Sequence, residues 1–111
     1  MAKMQIGEAI NALEDGHTIW NPEYAQRVCI ALGIPFSDHL IRKFYSENHH
    51  KGAHMNEGME GAEGVYSLTL SEYTANQFGV GKGARLFNGR GSQARHYARL
   101  VRQELERQGR I

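Results

Sequence analysis

Residues 21–35 read NPEYAQRVCIALGIP, and this stretch decides the fold class. Asn21 is a helix N-cap, because its short side chain can accept a hydrogen bond from the first free backbone N–H groups. Pro22 follows at the first helical position, where its missing N–H costs nothing and its fixed φ suits a helix. Tyr24, Ala25, Val28, Cys29 and Leu32 then recur at helical spacing on one face. Gly33, Ile34 and Pro35 stop the run. A start signal, one apolar face and a stop signal within 15 residues predict an amphipathic helix that needs other helices to cover it.

The same logic extends outward in both directions. Upstream, Ile6, Ala9, Ile10 and Leu13 predict a helix from Gln5 to Asp15 that stops at Gly16. His17, Thr18, Ile19 and Trp20 form a short extended link. Downstream, Ser37 is placed to cap a third helix with Leu40, Ile41, Phe44 and Tyr45 on its apolar face. Thr69 and Glu72 fit the S/T-x-x-E capping box, which predicts a helix from about Leu70 to Phe78. Val65 to Leu70 reads as a short strand or as the approach to that helix. Ser92 is placed to cap a last helix, residues 92–108, with Tyr97, Leu100, Val101 and Leu105 near one face.

Two glycine-rich stretches interrupt this pattern. Residues 48–64 hold glycines at 52, 58, 61 and 64, and Glu57, Glu60 and Glu63 recur every third residue, each followed by glycine. With few side chains to bury and much backbone entropy to lose, they are expected to form a mobile loop. Residues 79–91 hold five glycines among Lys82, Arg85 and Arg90 and read as a basic loop. The expectation is a mainly α, single compact domain of about five helices, with two glycine-rich loops and at most a small sheet.

The 111 residues suit one domain, and 41% hydrophobic with 23% charged residues is ordinary globular composition. No apolar run approaches the ~18 residues of a membrane span, so a transmembrane helix is excluded. The N-terminus leads straight into an amphipathic pattern without a signal-peptide apolar stretch. The single cysteine, Cys29, excludes an internal disulfide framework and a CxxC zinc site. Placed among Val28, Ile30 and Leu32, it reads as core packing, and a reducing, cytoplasmic location is the natural expectation.

The net charge of +1 hides a segregation. Residues 1–81 carry five basic and ten acidic groups, whereas residues 82–111 carry eight basic groups, seven of them arginine, and only Glu104 and Glu106 as acids. Arginine's planar fork favours phosphate and carboxylate partners. A basic segment of this kind suits nucleic acid, an acidic protein surface, or the acidic part of its own fold.

Residues 70–91 read LSEYTANQFGVGKGARLFNGRG. Their first half resembles the start of a helix-turn-helix DNA-binding unit of the small phage or plasmid type. Ala75 lies four residues before Gly79, Val80 follows the glycine, and Phe78 would pack beneath the turn. In that family the small alanine lets two helices approach and the glycine makes the turn. The resemblance covers about 20 residues, and its second half departs from the pattern. Arg85 stands where an apolar residue is expected, and Gly81 and Gly83 would each weaken a recognition helix by about 1 kcal/mol. Independently, the glycines around Lys82 free backbone N–H groups to approach phosphate oxygens. The Walker A pattern is absent.

Catalytic and metal signals are poor. No serine sits in a G-x-S-x-G elbow, Cys29 reads as buried, and no carboxylate pair is recognisable. His49, His50 and His54 are the only histidine cluster; H-E-x-x-H is absent and Gly52 lies between them, so they read as solvated loop histidines rather than metal ligands. No enzymatic activity, metal or cofactor is expected.

Two functions follow as expectations. The first is a small nucleic-acid-binding regulator or accessory protein of phage or plasmid type. Lys82, Arg85, Arg90, Arg95, Arg99 and Arg102 would meet phosphates, and Asn88, Ser92 and Gln93 would be the candidates for base edges. The second is a protein–protein inhibitor or adaptor acting on a host protein, such as a phage anti-defence (anti-CRISPR-like) protein. It would use the arginine-rich helix with Trp20, Tyr66, Tyr73, Phe87 and Tyr97 as exposed anchors. Either reading leaves the oligomeric state open, a homodimer included.

Overall fold

The computed structural model describes residues 3–19, 21–55, 69–80 and 90–111. Among them are five helices: α1 (Ile6–Glu14), α2 (Pro22–Leu32), α3 (Asp38–Met55), α4 (Leu70–Phe78) and α5 (Arg90–Arg107). The mainly α expectation holds. The only β pairing among the described residues is an antiparallel bridge between Thr18 and Thr69, beside which the Leu70 N–H donates to the His17 carbonyl at 2.6 Å. That bridge ties the start of α4 to the α1–α2 link.

At α2, α3 and α4 the capping chemistry is where the sequence places it. Asn21 Oδ1 accepts from the Tyr24 N–H at 3.5 Å, with Pro22 at the first helical position. Ser37 Oγ accepts from the Leu40 N–H at 3.2 Å. At α4 the capping box closes both ways: Thr69 Oγ1 accepts from the Glu72 N–H at 3.3 Å, and Glu72 Oε1 accepts from the Thr69 N–H at 3.4 Å. Helices α2 and α4 end on Gly33 and Gly79, both at φ +75° in the left-handed region that disfavours any Cβ.

Two boundaries differ from the reading of the sequence. Helix α3 continues through Met55, so eight residues of the expected loop 48–64 are helical and His49, His50 and His54 stand on helical backbone. A helix nucleated at Ser37 adds one hydrogen bond per residue as it grows, and a single glycine such as Gly52, costing about 1 kcal/mol, does not end it. The remainder of that loop lies outside the described residues. Helix α5 begins at Arg90, two residues before the expected cap, so Ser92 is its third residue and not its N-cap.

One apolar core joins the helices. Leu13, Ile19, Val28, Cys29, Leu32, Leu70, Tyr73, Val101 and Leu105 are fully or almost fully buried within it. Helix α5 packs mainly on α4 and α1, and α2 packs on α1. Tyr73 joins α4 to the chain around α3. Its hydroxyl donates to the Pro35 carbonyl at 2.6 Å, and its ring meets Phe36 and Phe44 edge-on at centroid distances of 5.9 and 5.5 Å.

Candidate nucleic-acid interface

Helix α5 sorts its residues by position around the axis. Ala94, Tyr97, Ala98, Val101 and Leu105 are buried, Leu100 is half-buried against the core, and Arg95, Arg99 and Arg102 are exposed. Ala94 and Ala98 were not among the residues expected on the buried face; their small side chains carry little hydrophobic signal, although they fall on the i, i+4, i+7, i+11 line with Val101 and Leu105. Small residues there allow a close neighbour. A Cβ placed on Gly16, at the end of α1, would lie 3.7 Å from the Ala94 Cβ.

The basic residues of the C-terminal segment do not share one fate. Arg107 is held by Glu104, its Nε donating to Oε1 at 3.0 Å, and Gln108 Nε2 donates to the other carboxylate oxygen at 2.9 Å. The Arg107 and Gln108 hydrogen bonds hold the Glu104 carboxyl below the usual carboxylate range. The reciprocal bond pushes the Arg107 guanidinium up. Arg110 folds back over the C-terminus of α2, so close that a Cβ on Gly33 would lie 2.8 Å from its terminal nitrogen. Arg102 has a looser partner in Glu106, Nε to Oε2 at 3.7 Å. Arg95 and Arg99 have no carboxylate partner among the described residues.

Three arginines one turn apart on a solvent face form a stripe about 10 Å long at 1.5 Å of rise per residue. Like charges on adjacent turns repel by a few tenths of a kcal/mol per pair, and an external anion removes that repulsion. Of the other residues expected at the interface, Arg90, Ser92 and Gln93 stand in the first turn of α5, upstream of the stripe. Lys82, Arg85 and Asn88 lie outside the described residues, as do the acidic Glu57, Glu60 and Glu63.

The first half of the helix-turn-helix resemblance has a local counterpart. Ala75 is buried, Gly79 makes the left-handed turn, and the Val80 N–H donates to the Ala75 carbonyl at 2.9 Å. Helix α5 begins eleven positions after Gly79, whereas a helix-turn-helix joins its helices through three or four residues. The segment 81–89, which would carry the second helix of such a unit, lies outside the described residues.

The aromatic anchors of the protein-docking expectation fare differently. Tyr73 is 0% and Tyr97 7% exposed, so neither is a surface contact; both fill the core instead. Burial pushes both phenols up, Tyr73 to about 12 with a further contribution from neighbouring Cys29. Trp20, Tyr66 and Phe87 lie outside the described residues. Cys29 is buried as expected, and burial pushes its thiol up to about 12, which keeps it protonated at neutral pH and removes its nucleophilicity. Among the described residues no group of three or more His, Cys, Asp or Glu side chains is placed to hold a metal ion, and no helix is long and apolar enough to cross a membrane.

Set against protein-family models, characterised proteins and solved structures, the chain matches none of them.

Proposed function

We propose that this protein is a small non-enzymatic nucleic-acid-binding regulator or accessory factor of the phage or plasmid type, with α5 as its phosphate-facing element. The observation that carries the reading is the stripe of Arg95, Arg99 and Arg102, exposed alongside the buried line of Ala94, Ala98, Val101 and Leu105, each arginine directly following a buried residue. Arg107 and Arg110 are already engaged within the fold. Arg95 and Arg99 are not engaged by any described carboxylate, and an arginine fork suits a phosphate. Lys82, Arg85 and Arg90 extend the same charge along the chain, and Asn88, Ser92 and Gln93 supply polar groups for base edges. The reading does not depend on a complete helix-turn-helix unit.

The rival reading is an inhibitor or adaptor that docks the same stripe on an acidic protein surface. It loses two of its five aromatic anchors, because Tyr73 and Tyr97 are in the core. Titration against random-sequence duplex DNA at increasing salt separates the two. A phosphate-binding stripe gives a log–log salt slope to which each arginine–phosphate contact contributes about 0.9. The Arg95→Ala, Arg99→Ala double variant then loses about 2 from that slope while keeping its fold. A wild-type protein that does not bind duplex or single-stranded nucleic acid at about 50 mM salt, conditions that favour such contacts, overturns the proposal.

A further inference from the structure

Glu106 shares the exposed stripe of α5. It lies one turn beyond Arg102 and two beyond Arg99, on the same side of the helix. It is the one acidic residue on that line, since Glu104 turns aside to Arg107 and Gln108. Its carboxylate reaches Arg102 at 3.7 Å, beyond hydrogen-bond distance, and both side chains remain more than half exposed. Such a contact is loose: two solvated groups held by a weak Coulomb attraction, with no second hydrogen bond to fix either. It nevertheless places a negative charge where a phosphate following the stripe would have to sit.

We infer that Glu106 is an internal competitor for the phosphate that Arg102 would otherwise hold, and that it ends the nucleic-acid contact of α5 at Arg99. The inference rests on the nucleic-acid reading above. Arg95 to Arg102 spans about 10 Å, the axial rise of about three phosphates on one duplex strand. Arg95 and Arg99 take two of them. Arg102 faces a choice between a tethered carboxylate and an external phosphate, and Glu106 also repels the phosphate directly. The stripe thereby binds the backbone weakly and without sequence preference, a contact that positions the protein and leaves base reading to other residues.

The test is the full-length protein with Glu106→Gln, titrated against two random-sequence DNA duplexes of unrelated sequence between about 50 and 200 mM salt. Two companion variants, Arg102→Ala alone and Arg102→Ala combined with Glu106→Gln, show whether the effect runs through Arg102. The expected result is a several-fold tighter complex for E106Q on both duplexes, with a salt slope steeper by about 0.9. Most of that gain disappears when Arg102 is also replaced. Wild-type binding with an unchanged E106Q affinity and slope overturns the inference and leaves the nucleic-acid reading standing. A gain that survives loss of Arg102 undiminished, or that appears on one duplex only, also overturns it. No binding by either the wild type or E106Q overturns both.

Discussion

Replacing Tyr73 tests how α4 is locked to the chain that leads into α3. Tyr73→Phe removes one hydrogen bond, from the hydroxyl to the Pro35 carbonyl at 2.6 Å, and keeps the ring. Pro35 is exposed, so water can reach its carbonyl once the hydroxyl is gone. The cost is therefore near the net value of one hydrogen bond, about 1 kcal/mol, rather than the full penalty of an orphaned buried group. Tyr73→Leu also removes the edge-on contacts with Phe36 and Phe44, each worth about 1 kcal/mol beyond the area buried. With the lost hydroxyl bond these come to about 3 kcal/mol, a lower bound on the total because the smaller side chain also buries less area. Urea unfolding measures both, and the m-value should stay constant because the same surface is exposed on unfolding. On heating, the phenylalanine variant should melt about 4 °C lower and the leucine variant at least about three times that. A neutral Tyr73→Phe together with a leucine variant costing less than about 1 kcal/mol would refute the view that Tyr73 is the pin between these segments.

The other predictions concern titration, capping and binding. Cys29 and Tyr73 have their proton loss pushed up to about 12, from ordinary values of 9.0 and 10.0, and Tyr97 is raised as well. The folded state holds these protons where the unfolded chain has lost them, so stability is full below about pH 9 and falls as pH rises towards about 12. Urea midpoints across that range should decline, and Cys29→Ala should delay the onset; a flat profile contradicts the burial. Native Cys29 should resist thiol reagents and react at the rate of unfolding, which a labelling time course reads directly. Thr69→Ala should cost about 1 kcal/mol by opening the capping box, while Thr69→Ser restores most of it, as followed by circular dichroism melts. The Arg95→Ala, Arg99→Ala variant should stay within about 0.5 kcal/mol of wild type in stability yet lose affinity for duplex DNA; a variant that melts early and binds normally would assign those arginines to the fold.

What could be read directly from the chain was chemistry contained within a few residues. The Asn21 cap with Pro22, the Ser37 cap, the Thr69–Glu72 box and the glycines at 33 and 79 each involve atoms no more than about one turn apart. Such signals survive in any tertiary context, because the orphan N–H and carbonyl groups of a helix end must be satisfied wherever the helix lies. Burial of Cys29 was legible for a related reason: an apolar face with one stop signal has only one side to hide.

The tertiary structure decided what depends on which helix meets which. Tyr73 read as a surface anchor and is a core residue, and Tyr97 read both as an anchor and as part of the apolar face of α5, of which burial selects the second; an aromatic ring carries the same local signal in either place, and only the packing of the helices encloses it. Ala94 and Ala98 were silent in the sequence and are buried on α5, where the small side chain of Ala94 lets the end of α1 approach. The arginines looked alike as a run of charge. Their division into Arg107 held by Glu104, Arg110 laid over Gly33, Arg102 loosely opposed by Glu106, and Arg95 and Arg99 without a carboxylate partner among the described residues emerged only in three dimensions. A charge count adds formal groups along a chain, whereas the field a partner meets depends on which of those groups the fold has already neutralised.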